Sequence, residues 1–83
     1  MQQKIIEHYG YEHQLTKLVE EMRELEAVII NEPDNEDHLK EEMADVVNLL
    51  EQIMIHKDWV ADIDMIKAFK IYRQLKRMSL EER

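Results

Sequence analysis

Eighty-three residues with no cysteine, one glycine, one proline and a formal net charge of −8 set narrow limits on this chain. Disulfides and thiolate metal sites are excluded, and so large an acidic excess excludes the basic footprint that nucleic-acid binding requires. With 36% charged and 45% apolar residues, the composition favours one small all-α domain over residues 1–83.

The N-terminal stretch Met1-Gln2-Gln3-Lys4-Ile5-Ile6-Glu7-His8 lacks the apolar core of a signal peptide. The longest apolar runs, such as Ala27-Val28-Ile29-Ile30, are too short to cross a bilayer. A cytoplasmic protein without a membrane partner is therefore expected. Residues 3–9 read as a short helix stopped by Gly10. From about 11 to 30, Leu15, Leu18, Val19, Met22, Leu25 and Ile29 recur at helical spacing and predict a buried stripe. Asn31-Glu32-Pro33-Asp34-Asn35 predicts a turn, because proline lacks an N–H and Asn and Asp favour turns and caps.

A second helix, about 36–56, carries Leu39, Met43, Val46, Val47, Leu50, Ile53 and Met54 on one stripe. The short turn makes the two an antiparallel hairpin. Periodicity slips at Lys57-Asp58-Trp59, and Asp58 or Asp62 is expected to cap a last helix over about 62–78. Its expected buried stripe is Met65, Ala68, Phe69, Tyr72 and Leu75, with Lys67, Lys70, Arg73 and Arg77 on the other side. A core this small is marginal, so a four-helix core completed by a homodimer or homotetramer is expected.

Charge is distributed unevenly. Residues 1–56 carry 4 Lys/Arg against 14 Asp/Glu, and residues 57–83 carry 7 against 5. Much of the acidity sits in a repeated block: Leu18-Val19-Glu20-Glu21-Met22-Arg23-Glu24-Leu25 returns 21 residues later as Leu39-Lys40-Glu41-Glu42-Met43-Ala44-Asp45-Val46. At 100° per residue, Glu21 and Glu24 fall roughly 90° and 150° from the apolar stripe, and Glu42 and Asp45 take similar offsets on the second helix. Each pair, one turn apart, is thus expected at the edge of the hairpin's packing face. Two carboxylates about 5 Å apart repel by roughly 3 kcal/mol at an effective dielectric near 20. A hard divalent cation such as Mg²⁺ removes that repulsion.

The pattern Glu20-Glu21-Met22-Arg23-Glu24, a gap of 17 residues, then Glu42-Met43-Ala44-Asp45 resembles the MazG-type, all-α nucleoside triphosphate pyrophosphohydrolases, whose signature is EExxE followed by ExxD. The lead-in Gln14-Leu15-Thr16-Lys17-Leu18, the sequel Val46-Val47-Asn48 and the late basic helix from Lys67 to Leu75 are similar as well. The resemblance implies Mg²⁺-dependent hydrolysis of a nucleoside triphosphate to the monophosphate and pyrophosphate, with Mn²⁺ able to substitute. It implies Glu21, Glu24, Glu42 and Asp45 as metal ligands, and Glu20 as a catalytic carboxylate that helps bind metal or orients water.

Further substrate-binding candidates are Lys17, Asn48, Lys67, Lys70 and Arg73, each with a plainer reading as an intrahelical ion pair or a solvated side chain. Trp59 reads as a packing anchor before a base-stacking residue. Two other functions fit the same acidic strip. One is a non-catalytic helical module docking a basic partner, the other a cation-binding protein without turnover.

Overall fold

The computed structural model describes residues 1–82 and is all-helical over them. Four helices follow in order: α1 (Gln2–Tyr9), α2 (Tyr11–Asn31), α3 (Glu36–His56) and α4 (Val60–Glu81). The expected hairpin is present with its bounds shifted by at most one residue, whereas α4 extends past both ends of its expected range.

Local chemistry sets each junction. Gly10 sits at φ 96°, open to glycine without strain; its N–H donates to the Ile6 carbonyl (2.8 Å) and its carbonyl accepts from the Gln14 N–H (3.0 Å). Between α2 and α3, Glu32 ends one helix and Asn35 caps the next. The Asn35 side chain accepts from the His38 N–H (3.2 Å), while the Glu32 carboxylate takes Asn35 Nδ2 (3.1 Å) and contacts His38 Nδ1 (3.1 Å). Asn35 hydrogen bonding and the His38 contact hold the Glu32 carboxyl below its usual range, and Glu32 in turn raises His38.

Asp58 does not cap α4. It ends α3 in the left-handed conformation (φ 57°), with the Trp59 N–H reaching the Met54 carbonyl (2.8 Å) and its own N–H the Ile55 carbonyl (3.2 Å). That 6→1 and 5→2 pair closes a helix C-terminus, and Asp tolerates the conformation better than most non-glycine residues. Asp62 lies within the first turn of α4, whose N-cap is Trp59 with no side-chain cap bond.

The core is narrow. Ile6, Leu18, Val46, Leu49 and Ile53 form it, with Tyr11 and Leu25 packed against them, and Ile6 is fully enclosed. The buried row of α2 is Gln14, Leu18, Glu21 and Val28, with Leu25 half-buried. Compared with the apolar stripe expected from sequence, this row is rotated by about 70° at 100° per residue. Of the expected stripe, Leu15, Val19, Met22 and Ile29 are exposed on α2, and Met43, Val47 and Leu50 on α3. The hairpin therefore has two faces, one polar and covered partly by α1, the other apolar and open.

The expected buried stripe of α4 is not buried within the chain. No residue of α4 is buried, and Met65, Phe69, Tyr72 and Leu75 are all exposed. The helix packs only on α3, near its own start, where Ile63 is half-buried. Met65 lies about 160° around the helix from Ile63, so its stripe turns away from the chain's own core.

Candidate metal centre

Glu21 projects from the middle of the buried row of α2. It is only 8% exposed, where sequence spacing placed it at the rim. Glu24, one turn on, is exposed, and Glu42 approaches half-buried from α3. One carboxylate oxygen from each of Glu21, Glu24 and Glu42 lies within 4.8 Å of the others. The Oε2 atoms of Glu21 and Glu42 are buried without a hydrogen-bond partner among the described residues.

Buried anionic oxygens left unpaired are costly, and native structures rarely tolerate them without an ion or water. The residues present thus fit a hard divalent cation, whose ligands are carboxylate oxygens. Burial first, then the adjoining Glu24 carboxyl with which a proton can be shared, then the charge of Asp45, hold the Glu21 carboxyl above its usual range; Lys17 pulls it the other way. Asp45 stands beside this trio, not in it: it lines a cleft with Glu21 and is near enough to act on that carboxyl.

Glu24 and Glu42 line a separate depression with Glu32 and His38, whereas the cleft beside Glu21 and Asp45 has a volume of about 510 Å³. Lys17 and Glu20 stand at its mouth, with Lys17 Nζ 3.5 Å from Glu20 and 3.6 Å from Glu21. Those two carboxylates, Glu20 first, raise the Lys17 ammonium above its usual range. Asn48 lines the wall and accepts a hydrogen bond from Gln2 Nε2 (3.0 Å). Glu42 is further braced by His38 Nε2 at 3.4 Å.

Lys67, Lys70 and Arg73 are not brought to this cleft within the chain. Lys67 borders the apolar groove between the hairpin and α4, and is 4.0 Å from Asp64. Lys70 and Arg73 flank a shallow depression with Met65, Ile66 and Phe69. Trp59 also lies in the apolar groove, in keeping with a packing role.

Four polar or aromatic cleft residues had no functional assignment from sequence: Tyr9, His13, Gln14 and Gln52. Gln14 and Gln52 are each 4% exposed and share a 2.7 Å side-chain hydrogen bond. A signal existed in the four-three spacing of Gln14, Leu18, Glu21, Leu25 and Val28, which carries polar residues along a buried row. Comparison of the chain with protein-family models, curated proteins and solved structures finds no significant match.

Proposed function

We propose that the chain is a Mg²⁺-dependent hydrolase, with Mn²⁺ able to substitute, that converts a nucleoside or deoxynucleoside triphosphate to its monophosphate and pyrophosphate. This is nucleotide-pool housecleaning in the cytoplasm. The observation that supports it best is the pair of unpartnered buried oxygens on Glu21 and Glu42, with Glu21 also lining a cleft large enough for a nucleotide. The signature spacing of Glu20, Glu21, Glu24, Glu42 and Asp45 supports the same reading.

Glu21, Glu24 and Glu42 would hold the cation, with Asp45 completing the set. A bound divalent cation supplies charge neutralisation at phosphate oxygens and a more acidic water. Glu20, exposed and paired with Lys17, would accept a proton from water entering the cleft, and Lys17 would meet a phosphate oxygen in exchange for its carboxylate partners. The test is an assay of purified protein against a panel of NTPs and dNTPs, with and without Mg²⁺, for monophosphate and pyrophosphate. Metal binding without release across the panel would favour the cation-binding reading, and no metal effect on stability the interaction module.

The same reading includes a homodimer, or a tetramer built from it. The chain exposes 6823 Å², whereas a compact 10.1 kDa protein exposes about 5,300 Å². Its radius of gyration is 16.1 Å against about 12 Å for a compact domain of this length. A surplus of about 1,500 Å² per chain is what an obligate dimer interface covers. A second copy suits both open surfaces, the hairpin's face around Val19, Met22, Val47 and Leu50, and the α4 stripe of Met65, Phe69 and Tyr72. Charge agrees, since Glu12 and Glu26 flank Val19 along the open face of α2 while Lys70 and Arg73 line a depression with Met65 and Phe69 on α4. The carboxylate cleft opens on the hairpin's other face and stays accessible in such a dimer.

A further inference from the structure

A series of side-chain hydrogen bonds with a single consistent direction ends in one wall of the cleft, at Gln52, Gln14 and His13. It starts at Glu51, whose carboxylate can only accept. The Gln2 atom 3.1 Å from Glu51 Oε2 is accordingly the amide nitrogen, which also donates to Asn48 Oδ1 at 3.0 Å. Gln2 is left with its oxygen to accept from Gln52 Nε2 (3.0 Å). Gln52 then turns its oxygen to Gln14 Nε2 (2.7 Å), and Gln14 turns its oxygen to His13 Nδ1 (2.8 Å). An amide oxygen has no proton to give, so Nδ1 of His13 carries one. In the neutral ring Nε2 is then a lone-pair acceptor, and it has no hydrogen-bond partner among the described residues.

The relay is well placed to hold that state. Its two central amides, Gln14 and Gln52, are buried, so reversing them exposes no alternative partner in water. Tyr9 stacks on the imidazole at 5.3 Å with the rings 16° from parallel, backing one face of a side chain that is otherwise exposed. Asn48, its oxygen taken by Gln2, keeps amide hydrogens to donate toward the cleft it lines.

We propose that this end of the cleft is a subsite for a planar nitrogen heterocycle, the base of the nucleotide, and that His13 is its positioning residue. The base stacks on the open face of the imidazole and donates an N–H to Nε2, and Asn48 donates to a ring acceptor. Fixing the tautomer from Glu51, through Gln2, Gln52 and Gln14, is what makes His13 an acceptor there. The identity of the ligand rests on the nucleotide reading above; the tautomer does not.

The test uses the full chain, ¹⁵N-labelled and free of metal, at a pH of about 8.5, above the usual imidazole range. Long-range ¹H–¹⁵N correlation of the His13 ring is expected to show the Nδ1–H form. Gln52→Met interrupts the relay at near-constant volume, and Glu51→Ala removes its anchor at an exposed position that leaves the core intact. Both are expected to move His13 toward the Nε2–H form. Adenosine and cytidine, as phosphate-free probes, are expected to shift the His13 and Tyr9 ring resonances. They should bind about 3- to 10-fold more weakly to Glu51→Ala, the loss of one oriented hydrogen bond.

A native Nε2–H ring, a tautomer unmoved in both variants, or nucleosides that leave His13 and Tyr9 unshifted would overturn the subsite. Failure of the hydrolase reading has a different signature. Pyrophosphate release and Mg²⁺-dependent shifts at Glu21, Glu24 and Glu42 would be absent while His13 and Tyr9 still responded to nucleosides.

Discussion

Glu21 of α2 and Glu42 of α3 each bury one carboxylate oxygen, Oε2, that no group among the described residues satisfies. Two helices thus meet over a pair of anionic oxygens where packing alone would place methyl groups. On the proposed reading, folding of this hairpin and binding of a cation would be linked through that pair, because whatever relieves the oxygens stabilises the folded state.

Mg²⁺ or Mn²⁺ is therefore expected to raise the melting temperature, and chelation to reverse the gain. Glu42→Gln or Asp45→Asn should abolish metal-dependent turnover while circular dichroism reports an intact helical fold. Full activity in either variant would remove that residue from the mechanism.

The sign of the pH dependence follows from Glu21. Its folded-state carboxyl is held above the usual range, chiefly by burial. The folded state therefore binds the proton more tightly than the unfolded chain, and metal-free stability falls as pH rises from the unfolded value of about 4.3 toward the raised folded one. Glu21→Gln should flatten that fall, melt higher than the native protein at neutral pH without metal, and lose most of the metal-induced gain. Thermal melts from pH 4 to 8, with and without Mg²⁺, measure all three.

Ile6 is the one fully enclosed side chain among the described residues, and it fastens α1 over the polar face of the hairpin. Ile6→Ala is expected to cost about 2–5 kcal/mol in chemical denaturation. Hydrogen exchange should quicken first in α1, which the relay through Gln2 also anchors.

Phe69→Glu places a charge in the apolar stripe of α4. Sedimentation should show the native protein as a dimer or tetramer and this variant as a monomer with reduced helicity in α4. A native monomer at micromolar concentration would remove the proposed interface.

The cap at Asn35 offers a simpler check of the turn. Asn35→Ala removes the acceptor for the His38 N–H and should cost about 0.5–2 kcal/mol. Activity per folded molecule should be unchanged, since Asn35 lies outside the cleft.

Much of this molecule was legible from residue order. Helical spacing, Pro33 with its Asn and Asp neighbours, and Gly10 located the hairpin and both of its junctions, because caps and breakers act over a few residues. The spacing of Glu21, Glu24 and Glu42 identified the side chains that converge. Sequence periodicity could not tell which apolar residues the chain buries for itself. Leu15, Met22, Phe69 and Leu18 look alike in a hydropathy pattern, although only Leu18 is buried here. Burial depends on which neighbours are present, and the pattern adds together every face a helix must cover, within the chain and outside it.

Only the tertiary structure decided that the packing row runs through Gln14 and Glu21, rotating the Glu21 carboxylate from the hairpin's rim into its interior. That rotation sets the desolvation that raises Glu21 and leaves the two Oε2 atoms unpaired. It also brings Gln2, Gln14 and Gln52, up to 50 residues apart, into one directed series of hydrogen bonds. Such a series has no sequence signature, because its direction is fixed by which atoms meet and by the one group, Glu51, that can only accept.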